Sequence, residues 1–72
     1  MKQNTKDLGL VVGVNLKRLI KESSCKTQEE FAFQFGTSSR NVGRWINEGI
    51  RNLDIIQQIA IFFDVDVLDL LS

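Results

Sequence analysis

The chain has 72 residues, with nine Lys and Arg balanced by nine Asp and Glu, no His, no Pro and a single Cys. That length holds one domain, near the lower limit for folding without metal or disulfide, so a single domain over residues 1–72 is expected. One thiol without histidine builds neither an intramolecular bridge nor a zinc site, and neither a leader-like segment nor an apolar stretch of about twenty residues is present. The expected setting is therefore the cytoplasm, with no metal, cofactor, small-molecule ligand or membrane partner.

The zero sum hides an asymmetry. Residues 1–52 carry all nine bases against five acids, while residues 53–72 carry Asp54, Asp64, Asp66 and Asp69 and no base, a net of +4 followed by −4. Such a dipole can turn its basic end to phosphates. Ordinary solvated charge accounts for the same numbers.

Apolar residues recurring at three- and four-residue steps predict an all-α fold of about five short helices. In the first, Leu8, Val12, Leu16, Leu19 and Ile20 form one stripe, with Lys17, Arg18, Lys21 and Glu22 largely off it. Gly9 and Gly13 each cost about 1 kcal/mol relative to alanine inside a helix, so fraying is expected over residues 1–11. Ser23 to Lys26 reads as a loop, with Cys25 a loop residue rather than a redox sensor.

Thr27 and Glu30 have the spacing of a capping box, which opens a second helix carrying Phe31, Ala32 and Phe35 inward and ending at Gly36. Thr37 and Ser38 form a turn. Ser38 caps a third helix reaching about Asn47, with Val42, Trp45 and Ile46 on its apolar side and Gly49 beyond its end. Asn52 caps a fourth helix with Leu53, Ile56, Ile59, Ala60 and Phe63 inward, and Asp64 ends it. Asp66 caps a last helix, Val67 to Leu71, whose Leu68, Leu70 and Leu71 are too apolar for a free tail. Trp45 and all five phenylalanines fall on inward stripes, which favours core packing over stacking on single-stranded bases.

Residues 27–48 meet the steric demands of a helix-turn-helix: Ala32 where two helices cross closely, Gly36 for the tight turn, and Val42 with Trp45 to bury the next helix. Thr27-Gln28-Glu29-Glu30-Phe31-Ala32 and Phe35-Gly36-Thr37-Ser38 resemble the Ser-Gln-Glu-Glu-Leu-Ala and Leu-Gly-Val-Ser stretches of the Cro/cI-type family of prokaryotic and phage regulators. Val42 through Gly49 is similar to that family's Ile-Ser-Arg-Trp-Glu-x-Gly, and Ile59 through Val65 to its Ile-Ala-x-x-Leu-Gly-Val. The likeness runs from about Val12 to Leu71, closing on Leu68-Asp69-Leu70-Leu71. Lys26 departs from it, standing where an apolar residue is usual, so its alkyl stem is expected to cover core. Gly43 weakens the third helix, and the link of Ile50, Arg51 and Asn52 is short and lacks proline.

The resemblance implies a lambda-repressor-like bundle that binds double-stranded DNA as a homodimer, its third helix in the major groove. Ser39, Arg40, Asn41 and Arg44 would then contact bases, Arg40 offering paired donors to guanine and Asn41 pairing with adenine. A solvated arginine is the alternative at 40. Thr27, Gln28, Ser38, Lys17, Asn47, Arg51 and Asn52 would meet the DNA backbone, although Gln28 and Ser38 also serve simply as helix-start residues and Lys17 as a solvated one. Ile50, Leu53, Val67, Leu70 and Leu71 are candidates for a dimer interface, core packing being the alternative.

Two other functional classes bear on the sequence. A module binding a protein partner fits the zero net charge, the acidic last third and Gly43. An enzyme is not expected, because histidine and a glycine-rich phosphate loop are absent and the adjacent Glu29 and Glu30 diverge on a helix. Repression is expected over activation, since a short chain has little surface for recruiting polymerase.

Overall fold

A computed structural model of the chain describes residues 7–72 as five helices: α1 (Leu8–Glu22), α2 (Gln28–Phe35), α3 (Ser39–Glu48), α4 (Leu53–Phe63) and α5 (Val67–Leu71). Three starts are fixed by the caps that the sequence indicates. Thr27 Oγ1 accepts from Glu30 N at 3.1 Å, Ser38 Oγ from Asn41 N at 3.1 Å, and Asn52 Oδ1 from Asp54 N and Ile55 N at 2.8 and 3.2 Å. Each satisfies an amide that the first helical turn leaves without a partner. The expected box at α2 is one-sided, because the Glu30 carboxylate accepts from Gln34 Nε2 at 2.8 Å and Thr27 N donates to the Cys25 carbonyl.

Helix α1 begins at Leu8, inside the stretch expected to fray, with Asp7 accepting from Gly9 N and Leu10 N at 3.0 and 3.3 Å; residues 1–6 lie outside the described residues. The two glycines that weaken its helical propensity serve packing instead. A Cβ at Gly13 would lie 2.5 Å from the Trp45 carbonyl oxygen and 2.8 Å from that of Ile46, so α1 crosses the end of α3 backbone against backbone. Beyond α3, a Cβ at Gly49 would lie 2.7 Å from the Gly9 carbonyl carbon, and Ile50 N donates to the Gly9 carbonyl at 3.0 Å.

Val12, Leu16 and Ile20 of α1, Phe31 and Ala32 of α2, Val42 of α3, Ile56, Ile59 and Ala60 of α4, and Leu70 of α5 fill one core. Phe31 is its hub, completely buried, with ring centroids 5.1 Å from Phe35 and Phe62 and 5.4 Å from Phe63. Burying one such ring stabilises by about 1.5–3 kcal/mol, and the pairs with Phe62 and Phe63 tie α2 to α4. Helix α5 is pinned to α1 by Asn15, whose Nδ2 donates to the Leu70 carbonyl at 2.8 Å.

Four residues expected inside lie outside. Phe33 is 80% exposed, because it stands about 200° round the helix from Phe31 and the apolar triplet 31–33 cannot face one way. Leu8 and Leu53 each open a helix at the rim of the core, and Leu68 turns away from buried Leu70; all three are exposed. Lys26 covers no core: it is exposed with a left-handed φ of 69°, and Cys25 takes the buried place.

Two glycine substitutions separate packing from propensity. Gly13→Ala should destabilise by about 1–3 kcal/mol, since neither carbonyl can yield without moving a helix. Gly43→Ala should stabilise by about 0.5–1 kcal/mol, its Cβ meeting nothing nearer than Gln28 Oε1 at 3.8 Å. Thermal melts check both, because 1 kcal/mol moves Tm by about 4–8 °C in a domain of this size.

Candidate nucleic-acid interface

The turn between α2 and α3 follows from Gly36, whose φ of 92° reverses the chain while Gly36 N and Thr37 N both donate to the Ala32 carbonyl at 2.9 Å. Helix α3 then seats Val42 in the core and sets Trp45 edge-on to Phe35, centroids 5.8 Å apart. With 3.6 residues per turn, anchoring 42, 45 and 46 turns Arg40, Arg44 and Asn47 outward; these three are exposed, as is Ser39. Among the described residues Arg40 forms no ion pair, and Arg44 reaches Glu48 at 3.8 Å with both side chains largely in solvent. Such exposed pairs contribute at most about 1 kcal/mol, so Arg44 is not locked in place.

Other candidate residues are engaged within the fold. Asn41 is half-buried and its Nδ2 donates to Thr37 Oγ1 at 3.0 Å, which braces the turn and draws the amide donor back from a base edge. Arg51 donates from Nη1 to the Glu48 carbonyl at 2.9 Å and from Nη2 to Asp7 Oδ2 at 2.6 Å, linking the end of α3 to the start of α1. The Asn52 carboxamide oxygen is occupied as the α4 cap. The link between α3 and α4 therefore holds the molecule together with the groups that were expected to grip DNA. Ser38 is a cap in fact, with its hydroxyl exposed at the end of α3.

Lys17, Thr27 and Gln28 come together in a cleft of about 320 Å³, bounded also by Ile20, Lys21, Lys26, Glu29 and Ile46. Gln28 is half-buried, its oxygen near Gly43 of α3. Lys21 and Lys26 are not among the residues expected to contact DNA. The four-residue step from Lys17 to Lys21 puts both on one face of α1 and is a legible signal, whereas the position of Lys26 depends on its left-handed backbone.

The candidate dimer surface contracts. Ile50 and Leu70 are 3% and 0% exposed inside the single chain and cannot form an interface. Leu53 is exposed and Val67 and Leu71 are half-buried. Leu53 and Leu71 share an apolar groove of about 240 Å³ with Leu8, Gly9, Ile50, Arg51 and Ile56.

Compared with known protein families, curated proteins and solved structures, the chain finds no match in any of the three.

Chemically, the outward face of α3 offers the forked donors of Arg40 and Arg44 beside the Ser39 hydroxyl and the Asn47 amide. Guanidinium forks match paired acceptors such as a guanine edge or a phosphate. No described helix is long and apolar enough to cross a membrane.

The Asp7–Arg51 clamp predicts a pH dependence. The Arg51 hydrogen bond, with the amides of Leu10 and Gly9 assisting and slight burial opposing, holds the Asp7 carboxyl below the ordinary aspartate range. A lowered carboxyl stabilises fully above its unfolded value of about 3.9 and loses that contribution as pH falls through the lower folded value. Asp7→Asn keeps a capping oxygen but removes the charge. The wild type should therefore melt higher than the variant at neutral pH, and the two Tm values should converge as the pH falls below the ordinary aspartate range; a gap that persists in acid would contradict the clamp.

Proposed function

We propose that the chain binds double-stranded DNA sequence-dependently and regulates transcription, with α3 entering the major groove and repression following from occlusion of a promoter. The observation that carries this reading is the outward face of α3, where Ser39, Arg40, Arg44 and Asn47 stand exposed on a helix capped by Ser38 and anchored by Val42 and Trp45. The resemblance of residues 12–71 to Cro/cI-type regulators, which implies that role for the third helix, is in keeping with it. Helix-turn-helix proteins of this design approach base edges with the N-terminal residues of their second motif helix, which here are Ser39 and Arg40.

In this reading two copies bind two half-sites about one helical turn apart, which supplies the affinity that a chain of zero net charge lacks. The apolar groove of Leu8, Leu53 and Leu71 is the dimer surface we favour. The role requires no catalysis, cofactor or small ligand, and it places the chain with the DNA of a prokaryotic cytoplasm.

One observation favours a second reading, a module that binds a protein partner: Phe33, Ile61 and Leu68 are large apolar side chains left in solvent. Titration into a pool of random duplex DNA, with recovery of bound sequences, separates the two. A two-fold symmetric site should be enriched by the wild type and lost with Arg40→Ala, each base pairing of the arginine contributing about 1–3 kcal/mol of discrimination. No enrichment, with negligible retention at low salt, would sink the DNA reading in favour of the protein partner.

A further inference from the structure

The chain's five glycines divide by what the fold asks of them. Gly9, Gly13 and Gly49 lie against neighbours that a Cβ would meet at 2.9, 2.5 and 2.7 Å, and Gly36 makes the turn after α2 with its left-handed φ of 92°. Gly43 has neither reason. It stands inside α3 with helical backbone, and a Cβ there would meet only Gln28 Oε1 at 3.8 Å, an ordinary van der Waals contact. Glycine inside a helix is less stable than alanine because it gives up more backbone freedom on folding. The folded chain therefore carries a destabilising residue at 43 that none of its own contacts requires.

Position 43 is one helical turn from Ser39, Arg40 and Asn47, all exposed on the outward face of α3. A helix with its side chains is about 10–12 Å across, and the major groove is about 12 Å wide. The thickness of the leading face therefore decides how far such a helix sinks. Long side chains such as Arg40 and Arg44 swing aside about their own torsions, whereas a Cβ is fixed to the backbone and cannot. Resting on the DNA reading above, we infer that Gly43 sets the depth at which α3 seats in the major groove, its bare backbone letting Ser39 and Arg40 reach base edges. Gly43 is a positioning residue and reads no base itself. Its effect falls on specificity, because a base-edge hydrogen bond needs its heavy atoms within about 3.2 Å, while phosphate contacts carry no sequence information.

The test compares the wild type with Gly43→Ala and Gly43→Leu on two labelled duplexes, one carrying the enriched site and one lacking it, with thermal melts alongside. Alanine should raise Tm by about 2–8 °C and yet weaken binding to the enriched site. The loss should be about 5- to 150-fold, the discrimination that one base pairing confers, and larger for leucine than for alanine. Affinity for the duplex without the site should stay close to that of the wild type, because it rests on phosphate charge. The loss should persist when Gly43→Ala is made in a Gln28→Ala background. A stabilised Gly43→Ala protein that binds the enriched site as tightly as the wild type overturns the depth role and leaves the DNA reading standing. An equal loss on both duplexes overturns it too, as does a loss that vanishes in the Gln28→Ala background, which would assign the glycine to making room for Gln28. A wild type that selects no site overturns both readings.

Discussion

The crossing of α1 over the end of α3 is the contact on which the rest depends. Helices ordinarily pack about 8–10 Å apart because side chains intervene; here Gly13 lets the Trp45 and Ile46 carbonyls approach the α1 backbone, and Gly49 rests on Gly9. Helix α3 needs that closeness. Val42 is its one fully buried side chain, with Trp45 and Ile46 half-buried against the core, and the backbone contact with α1 and the Ser38 cap complete its support. A helix held in this way can leave a whole side polar, as a surface that reads another molecule requires.

The same economy of side chains shows in the charges. Arginines at 18, 44 and 51 meet carboxylates, and the Arg51–Asp7 pair fastens the end of α3 to the first turn of α1. The lysines of α1 and the α1–α2 loop are left unpaired beside the outward face of α3, while the acids Asp54, Asp64, Asp66 and Asp69 occupy the last two helices and the loop between them. The division is one of sequence, +4 over residues 1–52 and −4 over residues 53–72; in the fold α5 packs on α1, and Arg18 and Asp69 border one cleft.

Local chemistry was the legible part. Thr27, Ser38 and Asn52 announce helix starts and Gly36 a helix end because each effect is confined to a few neighbouring residues. What escaped depends on distant parts of the chain. Gly9 and Gly13 read as weak points because the carbonyls they admit lie more than thirty residues away. Phe33 reads as core because hydrophobicity alone does not say which members of an apolar run face inward. Cys25 and Lys26 exchange their expected places through a left-handed backbone that leaves no mark in composition. In the candidate site, the exposure of Ser39, Arg40, Arg44 and Asn47 follows from helical period, whereas the engagement of Asn41 by Thr37 and of Arg51 by Asp7 follows from the folded arrangement.

On the proposed function, this arrangement holds the outward face of α3 against duplex DNA. Recording the backbone amide spectrum while a duplex carrying the enriched site is titrated in would locate the contact directly. Shifts should concentrate at Gln28, Ser39, Arg40, Arg44 and Asn47, with α4 and α5 little changed away from their ends. Shifts centred on Phe33 and Ile61 or on the acidic last helices, or none at all, would contradict that function.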